Sequence, residues 1–183
     1  MNSGHLYKNT HRMELDTMAN LKFGDLLKIN SGIILHQVNY LGTLNAGLGK
    51  LLSDKYPGLA ESLFKHASIN ILSMDSHSNL GTHYDYVMED LTIINCFTEK
   101  GLCSERQPND PPNTQYNSII ECFNSVMKKY SKEADEGKIY LPFKYGCGLA
   151  GGNWYIVNEI LKDYPFNIVA RREDFYKFLI DSK

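Results

Sequence analysis

The apolar positions of this chain fall into two periods that alternate along it. Residues 32–38 (GIILHQV) form a nearly continuous apolar run, the pattern of a strand buried on both faces. Residues 45–55 change to helical spacing, with Leu48, Leu51 and Leu52 on one face, and Tyr56-Pro57-Gly58 ends that helix. A short second helix is predicted over 59–67, then strands over 83–87 and 91–97 joined around Glu89-Asp90. A strong amphipathic helix follows over 115–130, with Ile119, Ile120, Phe123 and Met127 at three- and four-residue spacing. The remaining pattern predicts strands over 19–23, 138–141 and 166–170, a helix over 154–161 and a terminal helix over 172–180 with Phe175, Phe178 and Leu179 inward. Residues 99–114, which hold Pro108, Pro111 and Pro112, read as a surface loop. Strands alternating with helices imply an α/β fold with a mostly parallel sheet covered on both faces. In such sheets a ligand sits outside the carboxyl ends of the strands.

Length and charge narrow this further. A chain of 183 residues fits one domain, here 18–183, preceded by a polar, aperiodic segment 1–17 expected to be flexible. The formal charge of −2 and scattered basic residues exclude a general nucleic-acid binder. No apolar run approaches a membrane span, and the N-terminus lacks the apolar centre of a secretory signal. The four cysteines, Cys96, Cys103, Cys122 and Cys147, show neither CxxC pairing nor zinc-ligand spacing with histidine. Free thiols and a cytoplasmic location are therefore expected, with no metal and no cofactor.

The chemistry concentrates at three predicted strand ends. The first strand ends in Gly24-Asp25. The run 32–38 ends in Asn39, followed by Gly42, Asn45, Gly47 and Gly49. The strand 138–141 leads through Pro142 into Gly146, Gly148, Gly151 and Gly152, directly before a helix. Glycines so placed cost backbone entropy and add no packing, but they let the backbone turn and present N–H groups at close range. Beside a helix N-terminus such groups attract an anion, above all a phosphate. Two such loops with a carboxylate farther along suit a nucleotide diphosphate, with Asp25 accepting from an exocyclic amine or a hydroxyl. Neither loop carries the Gly-Lys-Ser/Thr of a Walker A motif, and the first strand lacks the dinucleotide-binding fingerprint.

Taken in order, Gly24-Asp25-Leu26-Leu27, His36-Gln-Val-Asn39 with Gly42 and Gly47, Lys55-Tyr-Pro57, and Pro142 through Trp154 resemble the macro domain. The run Gly146-x-Gly148-Leu-Ala-Gly-Gly152-x-Trp154 is similar to the family's bacterial and phage branch, which processes ADP-ribose 1″-phosphate. The resemblance spans roughly residues 19–170. It implies a three-layer α/β/α sandwich around a mixed, mostly parallel sheet, with a cleft for ADP-ribose. It also implies that Asp25 binds the adenine amino group, with Leu26 a further ligand-binding residue. Asn39, Gly42, Asn45, Ala46 and Gly47 would approach the distal ribose, while Gly146, Cys147, Gly148, Leu149, Ala150, Gly151 and Gly152 wrap the diphosphate. The expected function is ADP-ribose binding with hydrolysis of ADP-ribose 1″-phosphate, a water being oriented by Asn39 or His36. The alternatives are a non-catalytic reader or sponge and a de-ADP-ribosylase. The expected partner is that small molecule, the protein acting as a monomer.

The chain departs from the family pattern at several positions. Asn45 stands where many members have glycine, and Asn153 replaces aspartate ahead of the tryptophan while keeping a helix cap. De-ADP-ribosylating relatives use a lysine and an aspartate, matched here by Val87 and Ala150, which excludes a covalent lysine mechanism. Simpler roles compete at each site position. For Asp25 the competing role is a turn cap and for Asn39 a partner for nearby backbone, with the ligand role preferred at both, whereas His36 reads first as a core or rim histidine and Cys147 as a small side chain under the loop. Trp154 reads as an anchor in the core; Phe175 and Tyr176 either stack on adenine or pack the last helix. His83, Asp85 and Asp90 read as solvated.

Overall fold

The computed structural model describes residues 20–73, 77–102, 105–107 and 109–181. The expected segment 1–17, the start of the first strand at Ala19, and Cys103 lie outside them. Strand β1 (Leu21–Phe23) is followed by a 3-10 turn at Leu26–Lys28 and β2 (Gly32–Asn39). Helices α1 (Gly47–Lys55) and α2 (Leu59–Ser73) lead to β3 (His83–Val87) and β4 (Leu91–Glu99). Then come α3 (Tyr116–Lys129), α4 (Ser131–Asp135), β5 (Ile139–Pro142), α5 (Trp154–Leu161), β6 (Asn167–Ala170) and α6 (Arg172–Asp181).

The six strands form one sheet in the order β1-β6-β5-β2-β4-β3. All neighbours are parallel except β3 and β4, which make the antiparallel edge expected from their short connection. The continuous apolar run at 32–38 becomes a central strand because it can bury both faces. Ile33 and Leu35 enter the core under α3, α5 and α6, whereas Ile34 and Val38 point to the opposite side, where Leu52, Leu59 and Leu63 of α1 and α2 cover the sheet. The result is the α/β/α sandwich.

Three local expectations are revised. Helix α2 continues to Ser73 instead of stopping near Ala67. No glycine or proline interrupts that stretch, and Asn79 braces its middle by donating to the carbonyls of Ala67 and Tyr40. Helix α4 was not anticipated; it closes on Ala134, which is buried, and on Gly137 at φ 65°. In α3 the buried face is Ile119, Cys122, Phe123 and Val126, while Ile120 is exposed. Among the described residues no helix is long and apolar enough to cross a membrane.

Candidate ligand groove

Because β1, β6, β5, β2 and β4 run in one direction, their carboxyl ends fall along one edge of the sheet. The backbone there opens into two adjoining basins. The first, about 580 Å³, lies over β1 and β6 and is bordered by Gly24, Asp25, Leu26, Phe143, Arg171 and Phe178. The second, about 420 Å³, lies over β2 and β4 and is bordered by Asn39, Asn45, Gly47, Glu99, Gly146 and Gly148. Leu48, Pro142, Phe143 and Lys144 border both, so the two form one elongated groove.

Backbone amides flank the second basin on two sides. Helix α1 begins at Gly47 after Ala46, which makes no side-chain cap. The first N–H groups of a helix have no partner within it, and here they stand beside the groove carrying the positive end of the helix dipole. Across from them the 142–154 connection folds on itself: Cys147 N–H donates to Lys144, Gly151 N–H to Gly148, and Gly152 N–H to Gly146. Those bonds leave the N–H groups of Gly148, Leu149 and Ala150 without an acceptor among the described residues, and all three residues border the basin. Asn153 caps α5 through a 2.9 Å bond from Tyr155 N–H. Trp154, buried and packed edge-on to Phe143 at 5.0 Å, anchors the connection to the core.

The structure separates the expected site residues into three groups. Asp25 and Leu26 border the first basin. His36, Asn39, Asn45, Ala46, Gly47, Gly146, Gly148, Leu149 and Ala150 border the second. Gly42, Cys147, Gly151 and Gly152 border neither. Gly42 lies against α2, where a Cβ would come within 2.8 Å of Ala67. Gly151 lies under the Arg106 guanidinium, and Gly152 is pressed against the carbonyl of Gly146. Cys147 donates to the Tyr145 carbonyl at 3.1 Å, and burial pushes its thiol up to about 12, so it stays a thiol.

Two candidate catalytic side chains take other roles. Asn39 uses its whole amide to shape its own loop: Oδ1 accepts from Leu41 and Thr43 N–H, and Nδ2 donates to the Thr43 carbonyl and hydroxyl. It fixes the turn and has no donor left over for a water. His36 is 1 % exposed and bonds through Nε2 to Asn95 Oδ1 at 2.8 Å. Asn95 commits its own amide N–H groups to Tyr84 and Ile93 carbonyls, which fixes Oδ1 as acceptor and makes His36 Nε2 the donor. Burial lowers the His36 pKa to about 4 despite that bond, so the ring is neutral and weakly basic.

Other positions are corrected outright. Val87 sits at the far end of the sheet, paired with Thr92 and 68 % exposed, nowhere near the groove. The middle-strand residue that does face the groove is Glu99, 5 % exposed. Phe175 is buried between Phe23 and Phe143 and cannot stack on a ligand, while Tyr176 is exposed outside the first basin. His83 and Asp85 are engaged on the β3–α3 flank: Asp85 Oδ1 lies 2.6 Å from His83 Nδ1, and Asp85 Oδ2 accepts from Lys129 and Tyr130. Glu99, Lys144 and Leu102 were not anticipated as groove residues. Glu99 closes β4 two residues beyond the strand that the apolar run 91–97 predicts, so local pattern gave no signal for it.

No family model matches the chain, and neither does any curated protein. Solved structures do. A Bacteroides thetaiotaomicron protein of unknown function superposes with a TM-score of 0.66 at 22 % identity, covering 84 % of this chain and 98 % of that one. A macrodomain protein from Streptomyces coelicolor gives 0.61 at 19 % identity over 81 % and 96 %. Thermosipho africanus DarTG, solved in complex with ADP-ribose, gives 0.61 at 17 % identity, covering 84 % of this chain and 41 % of its own. With the six-stranded mixed sheet and its two flanking layers, these likenesses show that the chain has the macrodomain fold.

Proposed function

We propose that the groove binds ADP-ribose. The observation that carries this reading is the pair of amide rows, the α1 N-terminus and the N–H groups of Gly148, Leu149 and Ala150, facing the second basin without protein acceptors. Backbone donors of this kind suit a pyrophosphate. The first basin offers what a purine needs: an apolar floor of Leu26, Phe143 and Phe178, with the Asp25 carboxylate at its edge. The distal ribose then falls in the second basin beside Asn45 and Glu99. The likeness to Thermosipho africanus DarTG, solved in complex with ADP-ribose, supports the same assignment.

A binding role as reader or sponge requires nothing beyond this groove. Phosphatase action on ADP-ribose 1″-phosphate requires in addition a group that activates water. Asn39, bonded through its whole amide, and His36, with its lowered basicity, are poorly suited to that step. Titration calorimetry with ADP-ribose tests the groove directly. One site per chain is expected, with ADP-ribose bound more tightly than AMP because the distal ribose and second phosphate add contacts. Equal affinity for the two, or no binding of either, contradicts the assignment.

A further inference from the structure

We propose that Lys144 is the side chain that reads the charge of the ligand: its ammonium moves off the face of Phe178 and pairs with the phosphate on the adenosine side of the pyrophosphate. This rests on the ADP-ribose reading and adds to it a side-chain cation that the rows of backbone amides do not supply. The chain holds that residue in a strained backbone, and the strain is a cost of function.

The backbone is the first observation. Among the described residues, Asn20 and Lys144 are the two that adopt a left-handed conformation without being glycine, at φ 62° and φ 59°. Asparagine tolerates that region because its short amide can bond to nearby backbone. Lysine has no such group, and its Cβ crowds the following carbonyl oxygen. Such a conformation persists only where the surroundings fix it. Here Phe143 N–H donates to the Val169 carbonyl at 2.8 Å on one side, and Cys147 N–H donates to the Lys144 carbonyl at 2.8 Å on the other. The turn between those bonds calls for a left-handed residue, and glycine would fill it without strain. Nothing in the turn itself calls for lysine.

The position is the second. Leu48, Pro142, Phe143 and Lys144 border both basins, and the first three are apolar. In a ligand laid with its purine over Leu26 and Phe178 and its pyrophosphate toward the amide rows, the phosphate nearer the adenosine falls at this junction.

Charge is the third. Lys144 enters none of the ion pairs formed among the described residues. Its ammonium lies over the Phe178 ring, 5.0 Å from the centroid, a contact that contributes little at an exposed site. Arg171, the guanidinium of the first basin, is already bonded to Asp174 at 2.8 Å. Lys144 is the one lysine or arginine among the described residues bordering the second basin. An ammonium carries donors only, so an anion is what completes it. The flexible four-carbon stem lets the head swing from Phe178 to the junction while the backbone stays in place. The same swing clears the Phe178 face for the purine, so base and phosphate engage together.

The test measures the affinity of the full chain for adenosine, AMP and ADP-ribose by calorimetry, in dilute buffer and in high salt. Lys144→Gln keeps the stem and the backbone and removes the charge. It should weaken AMP and ADP-ribose about tenfold in dilute buffer and leave adenosine within about threefold, and the deficit should shrink in high salt. Lys144→Gly should lose the same affinity yet melt about 2–4 °C higher, because the strain goes with the side chain. The proposal is overturned by unaltered AMP or ADP-ribose affinity in Lys144→Gln, by an equal loss for adenosine, or by a deficit that salt does not change. A Lys144→Gly variant that melts lower than wild type also overturns it, since the side chain would then serve the fold. Failure of the wild-type chain to bind ADP-ribose is a separate result, and it removes the binding assignment and this proposal together.

Discussion

The Thr114 hydroxyl donates to the carbonyl of Gly146 at 2.6 Å, fastening the segment after β4 to the glycine loop. A second tie runs beside it, from Asn113 N–H to the Ala150 carbonyl at 2.8 Å. Gln37 completes the junction by donating to both Thr98 and Thr114, and it lies so close that a Cβ on Gly146 would come within 2.7 Å of its Oε1. Gly146, at φ 70°, is thus held in a left-handed turn from several sides. Residues 109–114 belong to the scaffold of the groove.

Replacing Thr114 by valine keeps the shape and removes the donor. Gly146 retains its bond from Gly152 N–H, so its carbonyl is not orphaned. A loss of about 1–2 kcal/mol in unfolding free energy is expected by urea titration. ADP-ribose affinity should fall as well, because the loosened loop no longer presents its amides in one geometry. A valine variant with unchanged stability and affinity would show that the hydroxyl bond does not order the loop.

Gly148 and Gly152 offer an internal contrast. A Cβ on Gly152 would stand 2.5 Å from the Gly146 carbonyl, so Gly152→Ala should destabilise the free protein. A Cβ on Gly148 would meet nothing within 4 Å. Gly148→Ala should therefore leave unfolding free energy within about 0.5 kcal/mol of wild type. If a pyrophosphate presses on that backbone, the same change should weaken ADP-ribose at least tenfold, equivalent to about 1.4 kcal/mol. Calorimetry showing unaltered affinity in Gly148→Ala would place the ligand elsewhere.

The sheet and its two helical layers were legible because the burial pattern is strong. The run at 32–38 has one good solution, a central strand, and the spacing of Phe123 with Ile119 has another, a core-facing helix. The glycine loops were legible as a feature but not residue by residue. Gly146, Gly148, Gly151 and Gly152 look alike in sequence, yet only Gly146 and Gly148 reach the groove, and which ones do depends on the bond from Thr114 to Gly146 and on Arg106 packing over Gly151, both from a distant segment. Glu99 was hidden for a different reason. Local pattern ended the strand at Phe97, whereas pairing with β2 carries β4 two residues further and so brings a carboxylate to the groove. The matching of Val87 to a lysine failed because β3 runs antiparallel, which sends that end of the strand away from the ligand edge.

Asp25 holds two jobs that substitution can separate. One oxygen accepts from Leu27 N–H at 3.0 Å and starts the turn at Leu26–Lys28. The carboxylate as a whole borders the first basin. Asp25→Asn retains an oxygen for the turn, so melting temperature should change little. If the other oxygen accepts from the adenine amine, losing the charge should cost about 1.5–3 kcal/mol of ADP-ribose affinity, roughly 10–100-fold. Ribose 5-phosphate, which has no base, should bind the variant as it binds wild type. An equal loss for both ligands would remove Asp25 from base recognition.

His36 gives the protein an acid sensitivity that can be assigned to one residue. Burial lowers its pKa from 6.5 to about 4, against the opposing bond to Asn95. The folded state therefore holds the ring neutral while the unfolded chain takes up a proton below pH 6.5, so stability is complete above that pH and falls on acidification until about pH 4. At pH 5 the loss from this residue is about 2 kcal/mol. His66, also lowered by burial, adds in the same direction. Asp85 acts in another window. Burial would raise its pKa, but bonds from His83, Lys129 and Tyr130 prevail and hold it well below the usual carboxylate range. Its contribution is intact above about pH 4 and lost only in stronger acid. Urea unfolding at pH 7 and pH 5 separates these effects: His36→Gln, which keeps an amide donor within reach of Asn95, should unfold with a clearly smaller pH difference than wild type. An equal difference in both proteins would mean that His36 titrates in the folded state.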